Sequence, residues 1–249
     1  MDSELTTAEG HEDGERPIAA FFDLDKTLLL VNSGQLWFRR ERAEGRLPLH
    51  HAIEAGVWLQ LYKLGLMNGR TALSRAVQSL KGELEQDLRD RTQRFFDDEI
   101  ASEFAPGTET ALMAHRQAGH QLVLLTSASL YLSQLVQERL NLDDILCMEF
   151  EVEAGRLTGA IQQLCFGDAK VGVAEQWAST RSIDLKDCFF YSDSITDLPM
   201  LDRVGRPVAV HPDARLAKLA RQRSWPILDW SQPVRAPAAT LGREATVRA

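Results

Sequence analysis

The sequence predicts an α/β protein, a parallel sheet covered by helices on both faces, with a helical module inserted after its first strand. Three observations carry that prediction. Ile18, Ala19, Ala20, Phe21 and Phe22 form an apolar run of strand length without polar alternation, the pattern of a strand buried on both faces. From Pro106 and Gly107 onward, helical and strand patterns alternate almost to the end of the chain. Between these regimes, residues 31–104 are rich in Leu, Arg, Glu and Gln and carry hardly any strand signal.

The elements follow in order. Asp2, Glu4, Glu9, Glu12, Asp13 and Glu15 crowd a stretch with few large apolar side chains, so residues 1–16 are expected to form a disordered acidic leader. After the first strand, apolar spacings of three and four predict helices near Ser33–Glu44, Leu49–Leu66, Arg70–Leu80 and Leu84–Ile100, broken by Gly45, Pro48, Gly69 and Gly82. Thr108–Ala118 reads as a helix stopped by Gly119, Leu122–Thr126 as a strand and Ser129–Leu140 as a helix. Ile145–Val152 and Arg156–Ala160 read as strands around a turn at Ala154 and Gly155. A helix over Ala169–Arg181, a strand over Cys188–Tyr191, a short helix over Ile195–Arg203 and a strand over Val208–Val210 come next. A helix over Asp213–Gln222 and a short strand over Pro226–Leu228 end the pattern. The expected organisation is a core of residues 17–30 and 105–231, a helical insertion of residues 31–104 and a flexible tail over 232–249.

Composition narrows the function. With 249 residues and 44% hydrophobic content, the chain has ample material for a buried core. A formal net charge of −8 without a run of Lys and Arg argues against general nucleic-acid binding. No segment reaches the roughly 18–20 apolar residues that a membrane span requires. The start of the chain lacks the basic and apolar regions of a signal peptide, so a cytoplasmic protein is expected. Cys147, Cys165 and Cys188 are far apart among apolar neighbours and read as reduced, buried thiols. His50 and His51 are adjacent and diverge on a helix, which makes them poor joint metal ligands.

Chemistry gathers where the apolar runs end. Asp23 and Asp25 come directly after the first strand and, two apart, leave it on the same side; two like charges so close call for a cation, and hard oxygen ligands suit Mg²⁺. Leu122–Leu125 is followed by Thr126-Ser127-Ala128-Ser129, hydroxyls and amides expected at the start of a helix, where an anion is favoured. Lys170 also opens a helix, against the dipole, which suggests that it points at an anion. Phe189-Phe190-Tyr191 leads into Ser192-Asp193-Ser194-Ile195-Thr196-Asp197, a second acidic pair whose four-residue spacing lets both carboxylates share one helix face. Each element alone reads as a turn, a helix cap or a solvated lysine; their recurrence at successive strand ends reads as a site.

In this order and spacing, Asp23-Leu24-Asp25-Lys26-Thr27, Thr126, Lys170 and Ser192 to Asp197 resemble the four motifs of the haloacid dehalogenase (HAD) superfamily. The insertion resembles the helical C1-type cap of its phosphoserine phosphatase-like branch, subfamily IB. The resemblance covers roughly residues 17–229. It implies a Rossmann-like core, Mg²⁺, and hydrolysis of a small phosphorylated metabolite through an aspartyl-phosphate. Carried over by position, Asp23 would be the nucleophile and Asp25 the acid and base. Asp23, the Asp25 carbonyl and Asp193 would hold Mg²⁺. Thr126, or the adjacent Ser127, and Lys170 would bind phosphoryl oxygens, with Asp197 and Thr27 in support.

Two departures bear on the substrate. Ser194 and Thr196 stand where the family often has Gly and Asn, and Asn32 and Ser33 stand where relatives begin substrate recognition without offering an acidic residue for an amino group. In the insertion, Trp37, Phe38, Trp58 and Tyr62 read first as helix packing and second as a pocket lining. Arg39, Arg40 and Arg42 read first as solvated and second as partners of another anionic group on the substrate. A phosphatase for an amino-alcohol phosphate, such as histidinol phosphate or phosphoserine, is a narrower reading. A phospho-receiver switch is a reading of another class, although a receiver has no use for a large insertion or a built-in acid.

Overall fold

The computed structural model describes residues 17–46 and 69–232. The expected leader, the tail from residue 233, the Leu49–Leu66 helix, Trp58, Tyr62, His50 and His51 lie outside the described residues. Among the described residues the sheet has seven strands in the order β4-β3-β2-β1-β5-β6-β7. These are β1 (Ala19–Phe22), β2 (Gln121–Ser129), β3 (Asp144–Glu153), β4 (Arg156–Gln163), β5 (Phe189–Ser192), β6 (Arg206–Val210) and β7 (Ile227–Leu228). Every neighbouring pair is parallel except β3 with β4. This is the expected α/β, Rossmann-like sheet.

The first strand is buried on both sides, as its composition requires. Ala20 and Phe22 enter one apolar cluster and Ala19 and Phe21 the other, all without solvent exposure. Leu122 and Leu124 against Val123 and Leu125 repeat the alternation in β2. Because β1 pairs with β2 on one side and β5 on the other, successive connections run outward in opposite directions from it. Ligands collect at the carboxyl ends of strands at such a switch point.

The helices are α1 (Ser33–Ala43), α2 (Gly69–Gln78), α3 (Glu85–Phe95), α4 (Thr108–Gln117), α5 (Leu130–Leu140), α6 (Ala169–Ser179), α7 (Leu198–Arg203) and α8 (Ala214–Gln222). Phe95, Phe96 and Ile100, at the end of α3 and in the wider turn after it, share a cluster with β1 and β2, so the insertion is continuous with the core. Trp37 packs edge-on against Phe95, with ring centroids 5.3 Å apart. Trp230 is buried at the other end of the chain, and a Cβ at Gly107 would lie 2.7 Å from it, so that position must be glycine.

Two expectations are corrected. Strand β2 runs on through Ser129, past the predicted end at Thr126, with a register shift against β3 between Leu125 and Ser129; Thr126 to Ala128 therefore belong to the strand, and Ser129 alone stands at the helix start, as its N-cap. The predicted helix over Ile195–Arg203 is split into a single 3-10 turn, Ile195–Asp197, and α7, with Pro199 in the first turn of the latter.

Strand β3 leaves the parallel sheet halfway along. Val123 to Leu125 of β2 pair with Asp144 to Leu146, whereas Glu149 to Glu153 pair with β4 in an antiparallel hairpin. Ala154 and Gly155 turn it with φ values of 49° and 73°, the signs of a type I′ turn. The chain before α3 lies along this hairpin, with main-chain bonds from Gly82 N to Leu157 O (2.8 Å), Leu157 N to Glu83 O (3.0 Å) and Glu85 N to Gly155 O (3.0 Å). Among the described residues, no helix is long and apolar enough to cross a membrane.

Candidate active site

Sheet register brings the motif residues together. Phe22 pairs with Leu124 on one side and Tyr191 on the other, so Asp23, Thr126 and Asp193 lie along three adjacent strands just past the same level. Asp23 N still donates to Tyr191 O at 2.9 Å. Beyond it the chain turns sharply, with Asp25 extended and Lys26 left-handed at φ 57°, and Lys26 N closes the turn on Val31 O at 3.0 Å.

The centre is an ion cluster. Lys170 Nζ donates to Asp23 Oδ1 and to Asp197 Oδ2, both at 2.8 Å, and all three side chains are buried. Ser192 Oγ donates to Asp197 Oδ2 at 2.8 Å, a bond that nothing in the sequence pattern announces. Lys170 thus faces two anions from the first turn of α6. Burial alone would pull its ammonium down, but Asp197 and Asp23 reverse this and hold it above the ordinary lysine range.

Positive charge in the pocket is nevertheless short. Burial, then the nearby negative charge of Asp197 and Asp25, pushes the Asp23 carboxyl up to about 7 even with Lys170 beside it. Asp193 is pushed up to about 8 by burial, then by Asp23 and Asp197, with only partial relief from Lys26 and Lys170. Asp23 and Asp193 are therefore carboxylates whose charge a cation could offset. Among the described residues no three or more His, Cys, Asp or Glu side chains gather as metal ligands, so main-chain oxygen and water would have to complete any shell.

Asp25 is held differently. Its Oδ1 accepts the Ser33 amide at 2.8 Å, so the first turn of α1 fixes it. Burial raises its pKa and the Ser33 and Gly34 bonds oppose the rise, an arrangement that suits a carboxyl exchanging a proton. The expected sharing of one helix face by Asp193 and Asp197 does not occur: Asp197 turns to Lys170 from the 3-10 turn and Asp193 stays in the strand-end loop.

The second-motif hydroxyls divide. Thr126 is buried and its Oγ1 accepts the Ala128 amide at 3.1 Å, while Ser127 lines the cavity. Ser129 precedes α5 without a capping side-chain bond. Thr27 is wholly buried and its hydroxyl has no hydrogen-bond partner among the described residues. Asp213 was not singled out in the sequence, yet it steadies the loop: Oδ2 accepts Ile195 N at 2.8 Å, its own amide donates to Asp193 O at 2.8 Å, and Oδ1 caps α8 through Arg215 N and Leu216 N. An Asp before a helical pattern signals the cap; nothing local signals its second bond.

A cavity of about 940 Å³ opens over these groups. Its floor is Asp23, Asp25, Lys170, Asp193 and Asp197, and one wall is α1, with Asn32, Gln35, Phe38 and Arg39. Trp37 is not in the lining and belongs to the packing already described, while Phe38 is.

Residues 20–202 match the haloacid dehalogenase-like hydrolase family. The chain belongs to this family. It is an enzyme of the HAD phosphatase type, and the phosphoserine phosphatase-like resemblance in the sequence extends to its relatives. An "inhibition of morphological differentiation protein" from Streptomyces azureus is 32% identical over 87% of this chain and 80% of its own length. A phosphoserine phosphatase from Mycobacterium tuberculosis is 31% identical over 92% and 78%, and a histidinol-phosphatase from Neisseria meningitidis is 27% identical over 85% and 98%. Among solved structures, a protein of unknown function from Bordetella pertussis superposes with a TM-score of 0.78, 25% identity and coverage of 87% of this chain and 100% of its own. A phosphoserine phosphatase studied as a phospho-aspartyl intermediate analogue shares the fold, with a TM-score of 0.63, 19% identity and coverage of 88% and 95%.

Proposed function

We propose that the chain is an Mg²⁺-dependent phosphomonoesterase that acts on a small phosphorylated metabolite through a phosphoryl group carried on Asp23. The observation that carries the reading is the buried Asp23–Lys170–Asp197 centre facing Asp193, with Asp25 tethered nearby by a helix amide. Asp23 and Asp193, with the Asp25 carbonyl and water, would hold Mg²⁺, whose positive charge would offset that of the phosphoryl oxygens.

Lys170 holds Oδ1 of Asp23, which leaves Oδ2 to attack phosphorus. The bond from phosphorus to the ester oxygen breaks, and the departing alkoxide takes its proton from the Asp25 carboxyl. Asp25, now a carboxylate, removes a proton from water; the hydroxide attacks phosphorus, the bond to Asp23 breaks, and inorganic phosphate leaves. Both carboxyl groups are then back in their starting forms. Ser127 and Lys170, with Thr126 buried behind, would receive the phosphoryl oxygens, and Asp197 keeps the Lys170 ammonium aimed. Residues 31–104 would act as the cap over core segments 17–30 and 105–231, since α1 forms one wall of the cavity. The buried free thiols Cys147, Cys165 and Cys188 suit a reducing, cytoplasmic setting.

A panel of phosphomonoesters assayed with Mg²⁺ and with EDTA tests this reading. Metal-dependent release of phosphate is expected, and absence of turnover on every substrate would sink it. Asp23→Asn keeps the size of the side chain and removes the nucleophile, so kcat should fall by at least roughly 10³-fold with the circular dichroism spectrum unchanged. Undiminished turnover in that variant would refute the role of Asp23.

A further inference from the structure

Three arginines in the first helix of the insertion could meet a second anionic group, and the structure separates them. Arg40 is consumed by carboxylates, at 2.9 Å from Glu44, 2.8 Å from Asp98 and 3.1 Å from Glu99. Arg42 is exposed and does not line the cavity. Arg39 lines the cavity and has no ion pair or side-chain hydrogen bond among the described residues.

Its neighbours on the same wall are all uncharged. Asn32 and Gln35 precede Arg39 at helical spacing, and with Phe38 they line the same cavity. Asn32 Oδ1 is engaged by the Gln35 amide at 2.9 Å in capping α1, which leaves the donor end of its amide for a ligand. The acids in the lining, Asp23, Asp25, Asp193 and Asp197, all belong to the floor, and the remaining cation, Lys26, sits beside Asp193. Away from the phosphoryl end, the lining among the described residues presents donors and a guanidinium, and no carboxylate that could receive an ammonium group.

We infer that Arg39 is a specificity-determining residue that selects phosphomonoesters whose leaving group bears a second anion, a carboxylate or another phosphate, over those whose leaving group is neutral or bears only an ammonium. The inference deepens the phosphatase reading and rests on it for the position of the phosphoryl group. A guanidinium offers two parallel donors to either anion, which gives orientation as well as attraction.

Equilibrium binding tests this without requiring turnover. Four phosphonates are titrated calorimetrically into the full chain with Mg²⁺: 2-carboxyethylphosphonate, propane-1,3-bisphosphonate, 2-aminoethylphosphonate and propylphosphonate. The wild type should bind one or both of the first two about 5- to 30-fold more tightly than propylphosphonate, and which of them binds better identifies the second anion. Arg39→Ala should remove that preference, Arg39→Lys should restore part of it, and Arg39→Glu should turn it toward 2-aminoethylphosphonate. A wild type without preference for either anionic probe, whether through equal binding or none, overturns the inference. So does a preference that survives in Arg39→Ala within twofold. A preference that depends on Arg39 in a protein that turns over no phosphomonoester would instead uphold this inference and refute the phosphatase reading.

Discussion

The floor and the α1 wall of the cavity are built on opposite principles. On the floor, Lys170, Asp23, Asp197 and Ser192 satisfy one another inside the protein, and the geometry is fixed before anything binds. On the wall, Gln35 and Arg39 are exposed and Arg39 has no side-chain partner among the described residues. The contrast separates two tasks. Charge development at phosphorus needs donors that do not reorganise, whereas discrimination between leaving groups needs groups still free to pair.

The strongest way to break the comparison is to remove the cation from the floor. Lys170→Met leaves Asp23 and Asp197 buried beside each other without a counter-charge, and unfolding in urea should show a loss of about 3 kcal/mol together with loss of turnover. A loss below about 1 kcal/mol would mean that the floor is not held by this ion cluster.

The floor is also supported from behind. His115 is buried, with Nε2 2.7 Å from the Tyr191 hydroxyl and Nδ1 2.7 Å from His120 Nδ1, and Tyr191 stacks on Phe22 at 4.9 Å. Burial, then His120 and Arg206, pushes His115 from 6.5 down to about 3. Between those values the unfolded chain binds a proton that the folded chain does not, so stability falls as pH drops through that window, by about 1 kcal/mol per unit. Urea midpoints from pH 7 to pH 5 should show a steeper decline in the wild type than in His115→Gln; equal slopes would remove His115 as the cause.

A smaller effect is expected at Asp213. Asp213→Ala loses the cap of α8 and frees the Ile195 amide, which should cost about 1–2 kcal/mol and lower kcat several-fold by loosening the loop that carries Asp193. Unchanged kcat would restrict Asp213 to stability. The smallest effect belongs to the insertion. Arg40→Ala removes three pairs with partly exposed carboxylates, and thermal unfolding should register less than about 1 kcal/mol.

The two principles were unequally legible in the sequence. Residues at strand ends could be read because an apolar run marks the positions just beyond it, and parallel strands in register align those positions; Asp23, Asp193 and Asp197 were found this way, whereas Lys170 was read from its place at the start of a helix. The extension of β2 through Ser129 was hidden because Thr126 to Ser129 are small and polar, typical of a helix start, while a single pairing of Ser129 with Met148, beyond a register shift, carries the strand on. Asp213 escaped because its bond to the Ile195 amide spans 18 residues. Among Arg39, Arg40 and Arg42, sequence offered no way to choose. Asp98 and Glu99, brought up by the turn after α3, take up Arg40, and of the other two only Arg39 lines the cavity.

Three of the bonds between residues 82–85 and the β3–β4 hairpin run from main chain to main chain. Arg156 Nη1 adds a side-chain bond to Gly82 O at 2.7 Å, and Gly82 and Gly155 hold positive φ, so the seam depends on these three residues and on none in α1. The insertion can therefore exchange the residues along α1 without surrendering that point of attachment, and a family of leaving-group preferences can be written on one chassis.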